Sequence, residues 1–329
     1  SQLNKKFAME NSAYFDVIHK ISNKLSMRYG FRINQFLRLR QSGLQKYLDN
    51  SPLIYDEVLG IYDPATPLQD NFDNNSSVFR TYSNLEPRLN ISYNFQNKSI
   101  KASYNRLNQY LHLISNTSSP TPLDIWVPSG PYIKPQKLDQ FALGYYTKVK
   151  EVKLESEVFY KKIKNRLDYI DGADLVANDN IETVILPGIS RAYGMELLLR
   201  KNSGRHKYWI AYTLSKSEQK TPGRNSNENG INMSKWYNTP YDKTHDFSIN
   251  SEYNINKKLK IVGNFIFQTG QPTNYPNSQY NYMNLNVPNY GERNSQRLPN
   301  YHRLDINLTL TPNRNNKKIE SSWVFGIYN

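Results

Sequence analysis

The sequence predicts an all-β fold, part of a transmembrane antiparallel up-and-down β-barrel. Three observations predict it. Apolar and polar residues alternate with period two along segment after segment, giving each extended strand one apolar face. Most of these segments hold about nine or more residues, what a tilted strand needs to cross hydrocarbon; globular strands average about 5–6. Short connections alternate with long ones, as when every second connection lies on the same side of a membrane.

The elements follow in order. Tyr14–Ile21 and Leu25–Phe36 flank a turn at 22–24. In the second strand Leu25, Met27, Tyr29, Phe31 and Ile33 oppose Ser26, Arg28, Gly30, Arg32 and Asn34. Arg88–Phe95 and Ile100–Tyr110 form the next hairpin, with Leu89, Ile91, Tyr93 and Phe95 on one face. Asp139–Thr147 and Val152–Arg166 follow; Val152, Leu154, Val158 and Tyr160 share a face against Lys153, Glu155 and Glu157. The stretch 194–215 is a hairpin turning at "NSGR", with Met195, Leu197 and Leu199 aligned with Tyr208, Ile210, Tyr212 and Leu214. Asp246–Tyr253 pairs with Leu259–Thr269, and Arg303–Thr311 with Glu320–Tyr328. Six hairpins give twelve strands. Between them lie five connections rich in Asn, Pro, Ser and Tyr, near 40–84, 113–137, 168–189, 219–244 and 270–300. Loops beyond about 12–15 residues are uncommon in compact domains, so five of them need a special architecture.

Composition narrows the class. Mean hydropathy is −0.75, yet 13% of the 329 residues are aromatic, including 26 Tyr. That is too aromatic for a disordered chain, and alternation hides apolar faces inside a polar average. No apolar run approaches the roughly 18 residues of a membrane helix. There is no cysteine, hence no disulfide or thiolate chemistry. The start, "SQLNKKFAME", is not a signal peptide, and the chain reads as a piece of a longer one. Net charge is +14. Basic residues crowd the short turns: Lys98, Lys148, Lys150, Arg200, Lys201, Arg205, Lys207, Lys257, Lys258, Arg314, Lys317 and Lys318. Others lie on the polar faces. They make no single stripe for phosphates, so no nucleic-acid partner is expected. Aromatics at strand ends, such as Phe95, Tyr110, Tyr160, Tyr208, Tyr253 and Phe267, suit girdles at the two bilayer interfaces.

Several long motifs carry a resemblance. "RAYGMELLLRKNSGRHKYWIAYTLSKSE" (191–218) resembles a hairpin late in the barrel of TonB-dependent outer-membrane receptors of the Bacteroidota type. "WYNTPYDKTHDFSINSEYNINKKLKIVGNFIFQTGQPTNYP" (236–276) is similar to the hairpin that follows it. "RLPNYHRLDINLTLT" (297–311), "SSWVFGIYN" (321–329) and "PYIKPQKLDQFALGYY" (131–146) resemble neighbouring parts of the same family. The resemblance implies a barrel of about 22 strands, a size class with a plugged lumen. It further implies import energised through TonB, not catalysis. Residues 1–329 are then the C-terminal portion of such a barrel, with the plug domain and the final strands outside them. The implied setting is a Gram-negative, Bacteroidota-like outer membrane. The implied partners are its lipid, the TonB system through the missing N-terminal region, and a surface lipoprotein or outer-membrane complex subunits. The alternative is a barrel of this fold serving as scaffold or partner-binding subunit.

No residue pattern calls for a cofactor. The five histidines show no metal-ligand spacing, and His245 in "KTHDFS" is expected to hydrogen-bond at the barrel rim. Asp171, Asp174 and Asp179 do not match a calcium loop of the helix–loop–helix kind; a solvated loop is the default, with a divalent ion as the alternative. No nucleophile elbow, Walker loop or dinucleotide fingerprint occurs. Aromatics on the long connections are the candidate ligand contacts: Trp126, Tyr132, Trp236, Tyr237 and Tyr241. Their alternative is packing of the connections on one another. Met195, Leu197, Leu199, Ile210, Tyr212 and Leu214 are the expected lipid-facing residues.

Overall fold

The computed structural model describes residues 5–40, 45–68, 77–114, 125–174, 178, 180–312 and 321–329. Twelve strands form one meander: β1 Ala8–Lys20, β2 Leu25–Leu39, β3 Val78–Phe95, β4 Lys98–Gln109, β5 Gln136–Val149, β6 Val152–Tyr169, β7 Ile185–Lys201, β8 His206–Lys220, β9 His245–Asn254, β10 Leu259–Gln268, β11 Tyr301–Leu310 and β12 Trp323–Tyr328. Each pairs antiparallel with the next, and β1 and β12 are the edges. Strand existence, order and pairing follow the period-two pattern. β3 and β6, at 18 residues each, run well beyond their apolar cores.

Register makes the alternation cooperative. Phe31 lies opposite Phe15, Tyr29 opposite Leu89 and Leu89 opposite Tyr104. The row continues through Tyr104–Phe141 and Phe141–Tyr160. Val158–Met195 and Met195–Leu214 lie on the same face, as do Ile210–Ile249, Ile249–Phe265, Phe265–Leu304 and Leu308–Phe325. One apolar belt therefore crosses all twelve strands. A slip of one residue anywhere would turn a strand's apolar set to the wrong face, so the belt itself specifies register. The other face is polar: Arg28–Asn90, Asn90–Ser103, Glu157–Glu196 and Glu196–Thr213.

The two faces differ in what covers them. Near the long-connection end, polar-face Asn34, Phe36, Arg38 and Glu86 are buried, each at most 5% exposed. Leu85 and Leu143, on the apolar face, are each 52% exposed. The connections fold over the polar face and leave the belt bare.

Those connections are not structureless. Leu53–Asp56 pairs with Ile61–Pro64, Leu111–Ile114 with Ile125–Pro128, and Pro276–Tyr282 with Leu285–Tyr290. Short 3₁₀ turns occupy Leu48–Asn50, Ile181–Val184 and Ile231–Ser234. A buried cluster gathers Leu53 and Tyr62, Ile114 and Val127, Ile170 and Ile181, and Ile231 and Tyr237, drawn from four successive connections. The apolar residues here are too scattered along the chain to show period two, so their order emerges only from packing. Gly230 is one fixed point: φ is +66°, and an added Cβ would lie 2.5 Å from the Thr221 carbonyl oxygen.

A bulge aims one strand end into this cluster. The register of β6 against β7 shifts between Lys164 and Arg166. The skipped residue, Asn165, takes φ +57°, a conformation that asparagine tolerates. Its amide donates to the Pro135 carbonyl at 2.8 Å.

Candidate functional site at the long-connection end

Four polar clusters order the long connections; three tie different connections together and the fourth closes one connection on itself. Asp168, at the end of β6, accepts from the Tyr237 hydroxyl and from Arg293 at 3.0 Å. Arg293 also donates to the Tyr169 carbonyl at 2.9 Å and pairs with Asp171. Tyr237 in turn shares a 2.8 Å hydrogen bond with Thr221. Burial, and then the Asp168 carboxylate, push the Tyr237 phenol far above its usual range. One knot thus ties three connections together.

The second cluster is Arg297 with Asp242, whose carboxylate is wholly buried and also accepts from the Ser217 backbone N–H at 2.6 Å. The third ties Arg224 to Glu228 and reaches across to Ser51 and the Leu53 carbonyl. Burial works against the Glu228 carboxylate, yet the Arg224 guanidinium and backbone N–H hold it below the usual range. The Tyr62 hydroxyl donates to Glu228 at 3.1 Å, and its phenol is pushed up to about 12, mainly by burial. The fourth centres on His112, 1% exposed, with Ser129 at 2.9 Å and Gln136 at 3.1 Å. Burial, and then the charge of Arg166, push His112 down to about 4.

The five candidate aromatics take different places in this scaffold. Trp126 is 57% exposed while its neighbour Val127 is 3% exposed, as strand alternation requires. Tyr241 is exposed. Trp236 is half-buried, its ring 4.2 Å from the Arg191 guanidinium, a cation–π arrangement. Tyr132 is half-buried, edge-on to Tyr47 at 5.2 Å, and donates to the Gln45 carbonyl at 3.1 Å. Tyr237 is buried in the Asp168 knot. Only Trp126 and Tyr241 present open surface.

The remaining candidates are also placed. His245 sits 2.9 Å from the Tyr212 hydroxyl, and its backbone N–H donates to Thr269. Asp171 is committed to Arg293. Asp179, Arg314, Lys317, Lys318 and Glu320 lie outside the described residues. Among the described residues no three His, Asp or Glu side chains form a metal-binding group. The pairs Met195–Leu214, Leu197–Tyr212 and Leu199–Ile210 share the bare apolar face.

One element escaped the sequence reading. The ribbon Pro276–Tyr282/Leu285–Tyr290 carries Tyr280, Tyr282, Met283 and Leu285, each 56–79% exposed. Tyr280 faces Val287 and Tyr282 faces Leu285, so one side is apolar. The alternation of Tyr280 and Tyr282, and the absence of any charge from 273 to 291, are the signals that point to it. Its base is clamped: Pro272–Thr273 pairs with Gln296–Arg297, beside the Arg297–Asp242 pair.

A long antiparallel meander with one apolar face, one polar face, short turns at one end and folded connections at the other is the wall of an outer-membrane barrel. The TonB dependent receptor-like β-barrel family matches residues 10–329, and the chain belongs to that family. It is a family of receptors and transporters of the Gram-negative outer membrane. No curated protein sequence matches significantly. Solved structures share the fold. The ferric-catecholate import receptor Fiu of E. coli K12 is 16% identical with TM-score 0.57, over 98% of this chain and 40% of that one. The ferripyoverdine receptor of Pseudomonas aeruginosa is 12% identical with TM-score 0.60, over 98% and 35%. The siderophore receptor PiuA of Acinetobacter baumannii is 15% identical with TM-score 0.58, over 94% and 37%. The chain therefore spans 35–40% of the length of these structures.

Proposed function

We propose that residues 1–329 are the C-terminal portion of the barrel wall of a TonB-dependent receptor that imports a ligand through a plugged lumen. The observation that carries this reading is the unbroken apolar belt over twelve strands in a chain that matches the family from residue 10 to 329. Open strand edges are not viable in hydrocarbon, so β1 and β12 need further strands beside them. The plug, the remaining strands and the TonB-contacting segment belong to the rest of the receptor. Met195, Leu197, Leu199, Ile210, Tyr212 and Leu214 face acyl chains, and the Asn202–Arg205 turn lies in the periplasm. Trp126, Tyr241 and the 276–290 ribbon are the ligand-facing or partner-facing surface outside the cell. The motif resemblance supports a Bacteroidota-type receptor with a surface lipoprotein or another complex subunit as companion.

The test is uptake by cells carrying the full receptor. Ferric catecholates and pyoverdines are the first probes, because the solved relatives are named for them. Uptake that needs both the receptor and the proton-motive force is the expected result. A native barrel with no plug, or passive uptake unaffected by an uncoupler, overturns the reading.

A further inference from the structure

The rim of the apolar belt at the long-connection end carries charges that the import reading does not use. On the belt side of β5–β7 the apolar residues end in a row of exposed aromatics, Phe141, Tyr160 and Tyr193. One step further along each strand, on the same face, stand Asp139, Lys162 and Arg191. The next step brings Lys164 directly opposite Lys137. Lys162 lies directly opposite Arg191. Like charges facing each other across a ladder are destabilising, and here two such pairs adjoin.

The neighbouring carboxylates are already engaged. Asp139 lies 2.7 Å from Arg106 and accepts from the Tyr104 hydroxyl at 2.8 Å. Glu218, on β8, lies 2.8 Å from Arg191 and 3.3 Å from Lys216. Every residue of β5–β7 is described, and Asp139 is the one carboxylate on this face of the three strands. Lys162 and Lys164 are exposed and form no ion pair among the described residues. Asp70, Asp73, Asp124, Asp179 and Glu320 lie outside the described residues.

Three features choose the occupant. The face points away from the lumen, so the plug does not reach it. Lys162 follows Tyr160 by two residues, about 7 Å of strand, so an anion held there adjoins the belt without a gap. Leu143 and Val158, just below, are exposed. A soluble anion would answer the cations and leave that apolar surface bare, whereas an anion carrying acyl chains covers both. Ammonium groups near a membrane surface attract anionic headgroups in this way.

We propose that this rim seats an anionic lipid, its phosphate among Lys137, Lys162 and Lys164 and its acyl chains on Phe141, Tyr160 and the belt below. The proposal rests on the membrane reading above; with the long connections outside the cell, the lipid is one of the outer leaflet.

The experiment reads lipid binding on the purified full-length receptor in detergent. It involves no uptake, so its failure and the failure of the import reading are distinguishable. The probes are diphosphoryl lipid A, phosphatidylcholine and inorganic phosphate. Lysine acetylation followed by mass spectrometry reports the access to each amine. Lys162 and Lys164 should react freely before lipid is added, and diphosphoryl lipid A should slow them several-fold. Lys148 and Lys150, exposed on the β5–β6 turn, should be unaffected. Phosphatidylcholine and inorganic phosphate at the same concentration should protect neither pair. Lys162→Gln with Lys164→Gln should weaken binding of diphosphoryl lipid A about tenfold, and Lys148→Gln with Lys150→Gln should leave it unchanged. Heat-modifiable gel mobility checks that each variant is a folded barrel. Slow acetylation of Lys162 and Lys164 before lipid is added would mean that another part of the receptor covers them, and overturns the proposal. So do equal protection by phosphatidylcholine or inorganic phosphate, no protection at all, or equal losses in the two double variants. If the Lys162/Lys164 variant fails to fold, the acetylation pattern of the wild type decides alone.

Discussion

At one end of the sheet Asp242 is wholly buried against Arg297, and Asp168 gathers Tyr237 and Arg293. At the other end Lys24, Lys98, Lys150 and Arg205 stand exposed on turns of a few residues. The same polar face runs between them. At the first end it is roofed by connections whose charges are neutralised in place; at the second it is open and basic. A buried pair is held by neighbours that would otherwise be left uncompensated, whereas an exposed charge is stabilised by water and is free to meet a partner. The first end is built to hold a shape and the second to carry a field.

Four measurements break or sharpen that contrast. The largest effect falls on Asp242→Ala, which leaves Arg297 without its buried carboxylate and should cost about 3–5 kcal/mol of local stability. Hydrogen exchange should quicken across 221–244 and 269–300, while β1–β4 amides hold their protection; unchanged exchange in those connections would sink the idea that the pair is a clamp. Next is Leu197→Arg, on the belt opposite Tyr212, expected to cost about 2–4 kcal/mol near the bilayer midplane. Normal heat-modifiability and vesicle insertion of this variant would reject the outward orientation of the belt.

Acid should then separate the ends. His112 is held at about 4 in the folded chain, against about 6.5 when unfolded. Between those values the unfolded form binds the extra proton, so stability of this connection falls as pH drops from about 6.5 towards 4, by up to about 3 kcal/mol. Exchange of residues 110–114 and 125–136 should speed up over that window, and His112→Gln should flatten the dependence. The smallest effect belongs to Lys98→Glu on the β3–β4 turn, within about 0.5 kcal/mol by denaturant unfolding. A larger loss there would show that the short-turn end is clamped as well.

The sheet was legible in the sequence to an unusual depth. Met195, Leu197 and Leu199 alternate with Glu196 and Arg200, and the register that pairs them with Leu214, Tyr212 and Ile210 is the one that keeps apolar beside apolar. The first part of β3, Val78–Pro87, was not legible, because there side chains such as Tyr82, which donates to the Gly130 carbonyl, bond to a connection. The site was legible in part. Trp126 and Tyr241 are open, as an aromatic on a connection can be, but Tyr237 is no different from them as a residue type. Its burial depends on Asp168 and Arg293, distant in sequence by 69 and 56 positions.

By itself the sequence determined the strands, their order, the apolar belt and the division into short and long connections. Those follow from local alternation and neighbour pairing, both written in consecutive residues. Tertiary structure alone decided which connection residues are buried and which carboxylate meets which arginine. Such encounters join residues far apart in the chain, and no periodicity encodes them.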